Sequence, residues 1–164
     1  MASRAAGTPI RIEPLAGGGT LQRESTDVRG VKIVRFPLIR EARGALTVGE
    51  FRHESFPFIP ERHFVVFSVP PNVSRGEHSH KRCQQLLICV HGHCVAMVDD
   101  GVTRREFMLD NPGVGLHVPP MIWGTQHSYS EDAALLVFAS EAYDPDDYIR
   151  DYVAFRNVVR TGTR

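Results

Sequence analysis

Residues 75–90 read Arg75-Gly76-Glu77-His78-Ser79-His80-Lys81-Arg82-Cys83-Gln84-Gln85-Leu86-Leu87-Ile88-Cys89-Val90. A turn-rich lead-in, Pro70-Pro71-Asn72-Val73-Ser74, precedes the stretch, and an apolar run closes it. Side chains alternate faces along a β-strand, so His78 and His80 share one wall while Ser79 and Lys81 face the other. Two imidazoles on one wall, with Gln85 nearby, mark a candidate site. Gln85 is an odd number of residues from both histidines, so a regular strand would need a bulge or twist to bring it in.

Working outward, the chain is a succession of short strands. Val31–Phe36 alternates apolar and polar residues, Glu41-Ala42-Arg43-Gly44 is a turn, and Ala45–Glu50 is a second strand. After a loop bounded by Pro57 and Pro60, Arg62–Val69 is a third, rich in β-branched and aromatic residues. Gln85–His91 and His93–Asp99 follow, read as a hairpin closed at Gly92. Asp100-Gly101 is a strong hairpin dipeptide leading into Val102–Leu109. Val114–Val118, Trp123–Tyr129 and Ala133–Ser140 complete the strands. From Asp144 to Asn157 the period changes: Tyr148, Ile149, Tyr152 and Phe155 recur three or four apart behind Asp144-Pro145-Asp146-Asp147, a helix start. The reading is an all-β sandwich or barrel with one C-terminal helix. Residues 1–30, Gly- and Arg-rich with the apolar beads Ile10, Ile12, Leu15 and Leu21, are expected to form a flexible tail or a swapped strand. Residues 31–160 are expected to form the domain.

Composition narrows the function. At 164 residues, 42% hydrophobic and 23% charged, the chain is one ordinary globular domain. Nineteen basic and nineteen acidic residues cancel, leaving no basic footprint for nucleic acid or a membrane surface. No apolar run approaches a membrane span, and the first residues lack a secretory core, so a cytoplasmic protein is expected. Cys83, Cys89 and Cys94 are odd in number and lack Cys-x-x-Cys spacing, which favours reduced, buried thiols.

Several dispersed motifs carry a resemblance. They are Arg43-Gly44-Ala45-Leu46 with Glu50, Arg75-Gly76-x-His78-x-His80-Lys81, Gln85-Leu86-Leu87-Ile88 and Gly92-x-Cys94. Asp99-Asp100-Gly101, Leu109-Asp110-x-Pro112 and Pro119-Pro120-Met121-Ile122-Trp123 follow. The last runs from Leu135–Ser140 through Tyr143-Asp144 to Asp147–Tyr152. In this order, over residues 31–155, the chain resembles the cupin-type sugar-nucleotide 3,4-ketoisomerases that act on dTDP-4-keto-6-deoxyglucose. The resemblance implies a double-sheet jelly roll with its site inside the barrel, a homodimer, and an aminotransferase that consumes the product. Departures are Ser79, where relatives commonly carry Ala, and Phe64 and His117, where they carry Tyr.

Moving a ketone from C4 to C3 of a hexose removes a proton at C3, passes through an enediol and delivers a proton at C4. Neutral imidazole suits that work at cellular pH. His80 is expected to shuttle the carbon proton and His78 to handle the oxygen proton or orient the sugar, the order within the pair being open. Arg62, Arg75, Lys81 and Arg43 are candidates for the diphosphate. Gln85, Trp123 and His127 complete the candidate substrate contacts, Trp123 as a stacking surface or as core. His91 and His93 read as turn residues, and His53 as a loop residue. No cofactor is expected. The competing readings are a metal-dependent dioxygenase-type cupin holding an ion with His78, His80 and His127, a 3/5-epimerase, and a ligand-sensing module. Gln84-Gln85 stands where such metal cupins carry a Glu ligand, and amides are poor ligands for transition ions. The configuration of the product at C4 is open, with Gly124, Gln126 and His117 the positions to inspect.

Overall fold

The computed structural model describes residues 7–15, 19–51 and 56–162; His53 lies outside them. The strands are β1 (Ile10–Arg11), β2 (Gln22–Ser25), β3 (Lys32–Arg35), β4 (Leu38–Glu41) and β5 (Gly44–Thr47). Next come β6 (Arg62–Phe67), β7 (Arg75–His80), β8 (Gln85–His91), β9 (Cys94–Asp99) and β10 (Arg104–Leu109). Last are β11 (Val114–Val118), β12 (Trp123–His127), β13 (Ala134–Ala139), β14 (Tyr148–Ile149) and the helix α1 (Tyr152–Thr161).

Two six-stranded sheets face each other, ordered β1-β10-β9-β12-β7-β14 and β2-β3-β11-β8-β13-β6. A separate hairpin joins β4 and β5. From β7 onward the chain passes repeatedly between the sheets, and only β9 and β10 follow one another as a hairpin, turned at Asp100-Gly101. The described residues before Val31 join both sheets: β1 runs parallel to β10, β2 antiparallel to β3, and Ile12 and Val28 are buried.

Period-two alternation explains how the strands build two layers of packing. Leu87 and Cys89 of β8, Leu116 of β11, and Leu135 and Val137 of β13 point inward, where they meet Ala96 and Val98 of β9. The outward residues of the second sheet, Leu86 and Ile88, pack with Val34, Phe36 and Phe56 in a separate cluster. Outward residues of the first sheet, Met97 and Trp123, pack against Phe155 and Tyr152 of α1. Phe155 is fully buried. Phe155→Ala is therefore expected to destabilise the fold by about 3–5 kcal/mol, to be read as a lower urea midpoint with unchanged slope.

Two local expectations are corrected. Residues His91-Gly92-His93 do not close a hairpin, because β8 and β9 belong to opposite sheets. The turn hands the chain across instead, held by Ser130, whose N–H donates to the His93 carbonyl and whose Oγ accepts from the His93 N–H. Gly92 sits at φ +63, and a Cβ there would come within 2.2 Å of Ser130 Oγ. The expected helix from Asp144 is also split. Asp144 caps only a single 3-10 turn, Pro145–Asp147, its side chain accepting from the Asp146 N–H. Tyr148 and Ile149 then extend to pair with His80 and Ser79 of β7. Inter-strand pairing overrides the three-and-four spacing until Asp151, whose side chain accepts from the Ala154 N–H and starts α1.

Candidate active site

The site forms on β7, between β12 and β14. A bulge opens the strand: Thr125 pairs with Gly76 and Gly124 with His78, leaving Glu77 unpaired on that side. Gly76 adopts φ +83, and a Cβ there would lie 2.9 Å from both Gln126 Oε1 and the Gly124 carbonyl. Only Gly meets both demands. Beyond the bulge regular alternation resumes, and His78 and His80 project together into a cavity of about 280 Å³ between the sheets. Their Nε2 atoms lie 3.2 Å apart.

The surroundings assign the tautomers. His78 Nδ1–H donates to the Gly76 carbonyl at 2.9 Å. His80 Nδ1–H donates to Asp147 Oδ2 at 2.7 Å. Asp147 also accepts from the backbone N–H groups of Arg82, at 2.7 Å, and Cys83, at 3.3 Å. Its own backbone carbonyl takes the Lys81 N–H at 2.8 Å. An Asp that accepts from every neighbour is the anion. With both Nδ1 atoms protonated, each ring presents its Nε2 lone pair to the other, and a single proton bridging them satisfies both. Burial is the largest influence on both imidazoles and pushes each below its ordinary 6.5. The Gly76 carbonyl pulls His78 back upward, and Asp147 does so for His80. The pair therefore stays available as a base below the usual histidine range, and the acid limb of turnover is expected below pH 6.5, to be read from a pH–rate profile.

The rest of the cavity wall comes from both sheets. Arg75, Gly124 and Gln126 line it from the first sheet, Gln85 and Phe64 from the second, and Tyr148 and Arg150 from the C-terminal segment. Gln85 arrives because residues 81–84 carry the chain into the facing sheet, so counting its spacing from His80 along one strand does not apply. The Tyr148 ring packs on both histidines, at 4.9 Å and 4.4 Å between centroids, with the Arg150 guanidinium 4.3 Å from its centre. Arg62 does not itself line the cavity but lies against the cavity residue Phe64 and against Tyr143, its guanidinium 5.6 Å from each ring centre, with Nε buried and without a hydrogen-bond partner among the described residues.

Four sequence candidates are not brought to this cavity. Trp123 faces the other side of its sheet, packed 5.2 Å from Tyr152 and 5.7 Å from Phe155 as core. His127 is on that same outer face, bonded to Ser128 Oγ and 3.5 Å from Glu106, so a ligand set with His78 and His80 is not assembled. The Lys81 ammonium points out and donates to the Asp146 carbonyl. Arg43 is exposed at the β4–β5 turn and pairs with Glu41. His91 and His93 are exposed, as a turn requires. Missed by sequence reading were Asp147, Tyr148 and Arg150: Asp147 and Tyr148 meet His80 because β14 pairs with β7, and Arg150 follows them into the cavity wall.

His117 is also displaced from expectation. It alternates away from the cavity and lies under Phe58, with Nε2 bonded to Gln84 Oε1 and Nδ1 buried without a partner among the described residues. Burial is the chief cause that holds it down to about 4, from an ordinary 6.5. Its folded-state value is depressed, so the unfolded chain binds the extra proton first as pH falls. The cost begins near pH 6.5 and is complete below about 4. At about 1.4 kcal/mol per pH unit it amounts to about 3 kcal/mol. His117→Phe is expected to flatten the acid side of the stability curve, measured by urea unfolding at pH 7 and pH 4.

Comparison with known proteins gives consistent matches. A family model described as "FdtA: WxcM-like, C-terminal" matches residues 29–160. The chain is 38% identical over 128 residues to the TDP-4-oxo-6-deoxy-alpha-D-glucose-3,4-oxoisomerase of Aneurinibacillus thermoaerophilus, covering 78% of this chain and 91% of that protein. It is similar to the crystal structure of QdtA, a sugar 3,4-ketoisomerase from Thermoanaerobacterium thermosaccharolyticum in complex with TDP, with TM-score 0.78, 32% identity, and coverage of 83% and 98%. It also matches WlaRB, a TDP-quinovose 3,4-ketoisomerase from Campylobacter jejuni, with TM-score 0.74, 35% identity, and coverage of 79% and 99%.

Proposed function

The chain belongs to the FdtA family of WxcM-like C-terminal domains, and from that premise we propose the following reaction for its cavity. The protein is a sugar-nucleotide 3,4-ketoisomerase that converts dTDP-4-keto-6-deoxy-D-glucose to a dTDP-3-keto-6-deoxyhexose. The observation that carries the chemistry is the pair of Nε2 atoms 3.2 Å apart in the cavity, one of the two rings backed by a buried carboxylate.

His80 Nε2 takes the C3 proton, and the imidazolium that forms is stabilised by Asp147. The C3–H electrons form the enediol double bond while the C4 oxygen gains a proton. His80 returns its proton to C4, and the C3 hydroxyl proton leaves as the new ketone forms. His78, fixed by the Gly76 carbonyl and facing His80, carries the oxygen proton between O3 and O4. Atoms balance, and neither oxidant nor reductant is consumed. Arg75 and Arg150 at the cavity, with the Arg62 guanidinium beside Phe64, supply cationic donors for the diphosphate. Gln85 and Gln126 offer amides to the sugar hydroxyls.

Three further readings go with this one. The enzyme works as a homodimer, supported by apolar residues left exposed on β4–β5 (Ile39, Leu46) and on the edge strand β6 (Val65, Phe67). Light scattering is expected to give twice the chain mass, and Leu46→Glu with Phe67→Glu the monomer. An aminotransferase consumes the C3 ketone. The protein acts in the cytoplasm, which its buried free thiols support; no described helix is long and apolar enough to cross a membrane. The reaction is tested by supplying dTDP-4-keto-6-deoxyglucose with a C3-specific aminotransferase and glutamate. A 3-amino sugar nucleotide is expected, and amination absent at C3 overturns the assignment.

A further inference from the structure

The bend that follows the histidine pair places a thiol beside it. His80 and Cys83 are three residues apart around the turn at 81–82, and Asp147 reaches both from the segment before β14. One ligating atom from each of His80, Cys83 and Asp147 lies within 4.8 Å of the others, and all three residues are buried. Lys81, Arg82 and the rest of the bend are tied to Asp147 through the backbone, so the three groups are held rather than gathered by chance.

We propose that this triad is a site for a borderline or soft divalent cation, Zn²⁺ or Cd²⁺, and that its occupancy switches the isomerase off. Imidazole, thiolate and carboxylate together suit such ions, whereas Mg²⁺ and Ca²⁺ take oxygen ligands. Zinc bonds of about 2.0–2.3 Å to N, O and S put tetrahedral donors roughly 3.3–3.7 Å apart. The triad needs the 2.7 Å His80–Asp147 hydrogen bond to open and Cys83 to draw in, which are side-chain movements. His80 and Cys83 both line the cavity, through which an ion can enter.

The bookkeeping explains the inhibition. Cys83 releases its thiol proton to solvent. The His80 Nδ1 lone pair goes to the cation, and the Nδ1 proton moves to Nε2. An imidazole in that form has no lone pair left for the C3 proton, and Asp147 no longer backs it. Binding of the cation stands apart from the assigned reaction; only its inhibitory effect rests on that reading.

The test titrates chelator-stripped full-length protein with CdCl₂ while following the ultraviolet thiolate-to-cadmium charge-transfer band, and with ZnCl₂ while following turnover. The wild-type protein is expected to give the band saturating at one equivalent, with turnover falling in step with zinc. Cys83→Ala and Cys83→Ser are expected to lose the band, keep metal-free turnover, and raise the half-inhibitory zinc concentration about 10–100-fold. Persistence of the band in both variants places the ion on Cys89 and Cys94 and overturns the site. Unchanged zinc sensitivity places it on the facing Nε2 atoms of His78 and His80 and overturns it equally. A Cys83-dependent band with undiminished turnover removes the inhibitory half. A wild-type protein inactive without metal defeats the assigned reaction, while the band still decides the site.

Discussion

Replacing His80 by Asn is expected to lower turnover of the 4-keto sugar nucleotide by about 10²–10⁴-fold, with the Michaelis constant nearly unchanged. His80 alone among the cavity side chains combines an Nε2 facing the reaction space with an Nδ1–H locked to a buried carboxylate. Asn retains a donor for Asp147 and most of the shape, so the cavity is not collapsed. What disappears is the group that accepts a proton near neutral pH. His78→Asn should lose less, because His78 moves an oxygen proton, which water in the cavity can replace. Steady-state kinetics on both variants, with thermal midpoints to confirm folding, checks the ordering. Equal rates for wild type and His80→Asn contradict it.

The second large effect belongs to Asp147. Asp147→Asn is expected to lower turnover by about 10²–10⁴-fold although Asp147 does not line the cavity. An Asn amide can donate to His80 Nδ1, which moves the imidazole proton to Nε2 and leaves no base at the substrate. Charge changes too: Asp147 now raises His80 against the larger downward push of burial. Without that carboxylate the His80 value falls further, so the acid limb of the residual activity shifts to lower pH. A residue needed only to hold the Arg82 and Cys83 N–H groups would lower stability and leave the pH profile in place. Full pH–rate curves for the two proteins therefore separate positioning from scaffolding.

The expected all-β sandwich or barrel with one C-terminal helix matches the molecule, and local patterns are strong enough to show it, while the double-sheet jelly roll is what the family resemblance implies. Strand β8 spans the apolar run read from the sequence, and Asp100-Gly101 makes the hairpin its residues demand. The alternation of His78 and His80 placed both imidazoles on one wall, as found. What local pattern does not carry is which sheet a strand joins. Hence Gly92 read as a hairpin turn, and Gln85 was counted from His80 along one strand when it faces it from the other sheet. The same limit hid Asp147. Its Asp-Pro-Asp-Asp context is a sound helix start over a few residues, and only the pairing of Tyr148 with His80 turns that segment into the wall of the site.

Face assignment within a strand was legible only where both sides differ in polarity. Trp123 and His127 share a strand with Gly124 and Gln126, but the first two look outward and the last two line the cavity. Their mixed composition gave no signal, because a helix covers part of the outer face and makes it apolar around Trp123 while leaving it polar around His127. His117 misleads for the opposite reason. A histidine among apolar residues looks like a cavity group, yet a second layer of aromatic side chains buries the outer face of its sheet.

The most direct measurement is a proton NMR time course of chelator-treated protein with dTDP-4-keto-6-deoxyglucose in deuterated water, run with the wild type and with His80→Asn. The wild type is expected to give a 3-keto product, the hydrogen at C4 supplied through the enzyme's base, and its coupling to C5 reporting the gluco or galacto configuration. The His80→Asn protein should give neither product nor deuterium at C3 of recovered substrate. A 3-keto product forming equally fast without His80, or none forming with the wild type, would contradict proton transfer by the histidine pair.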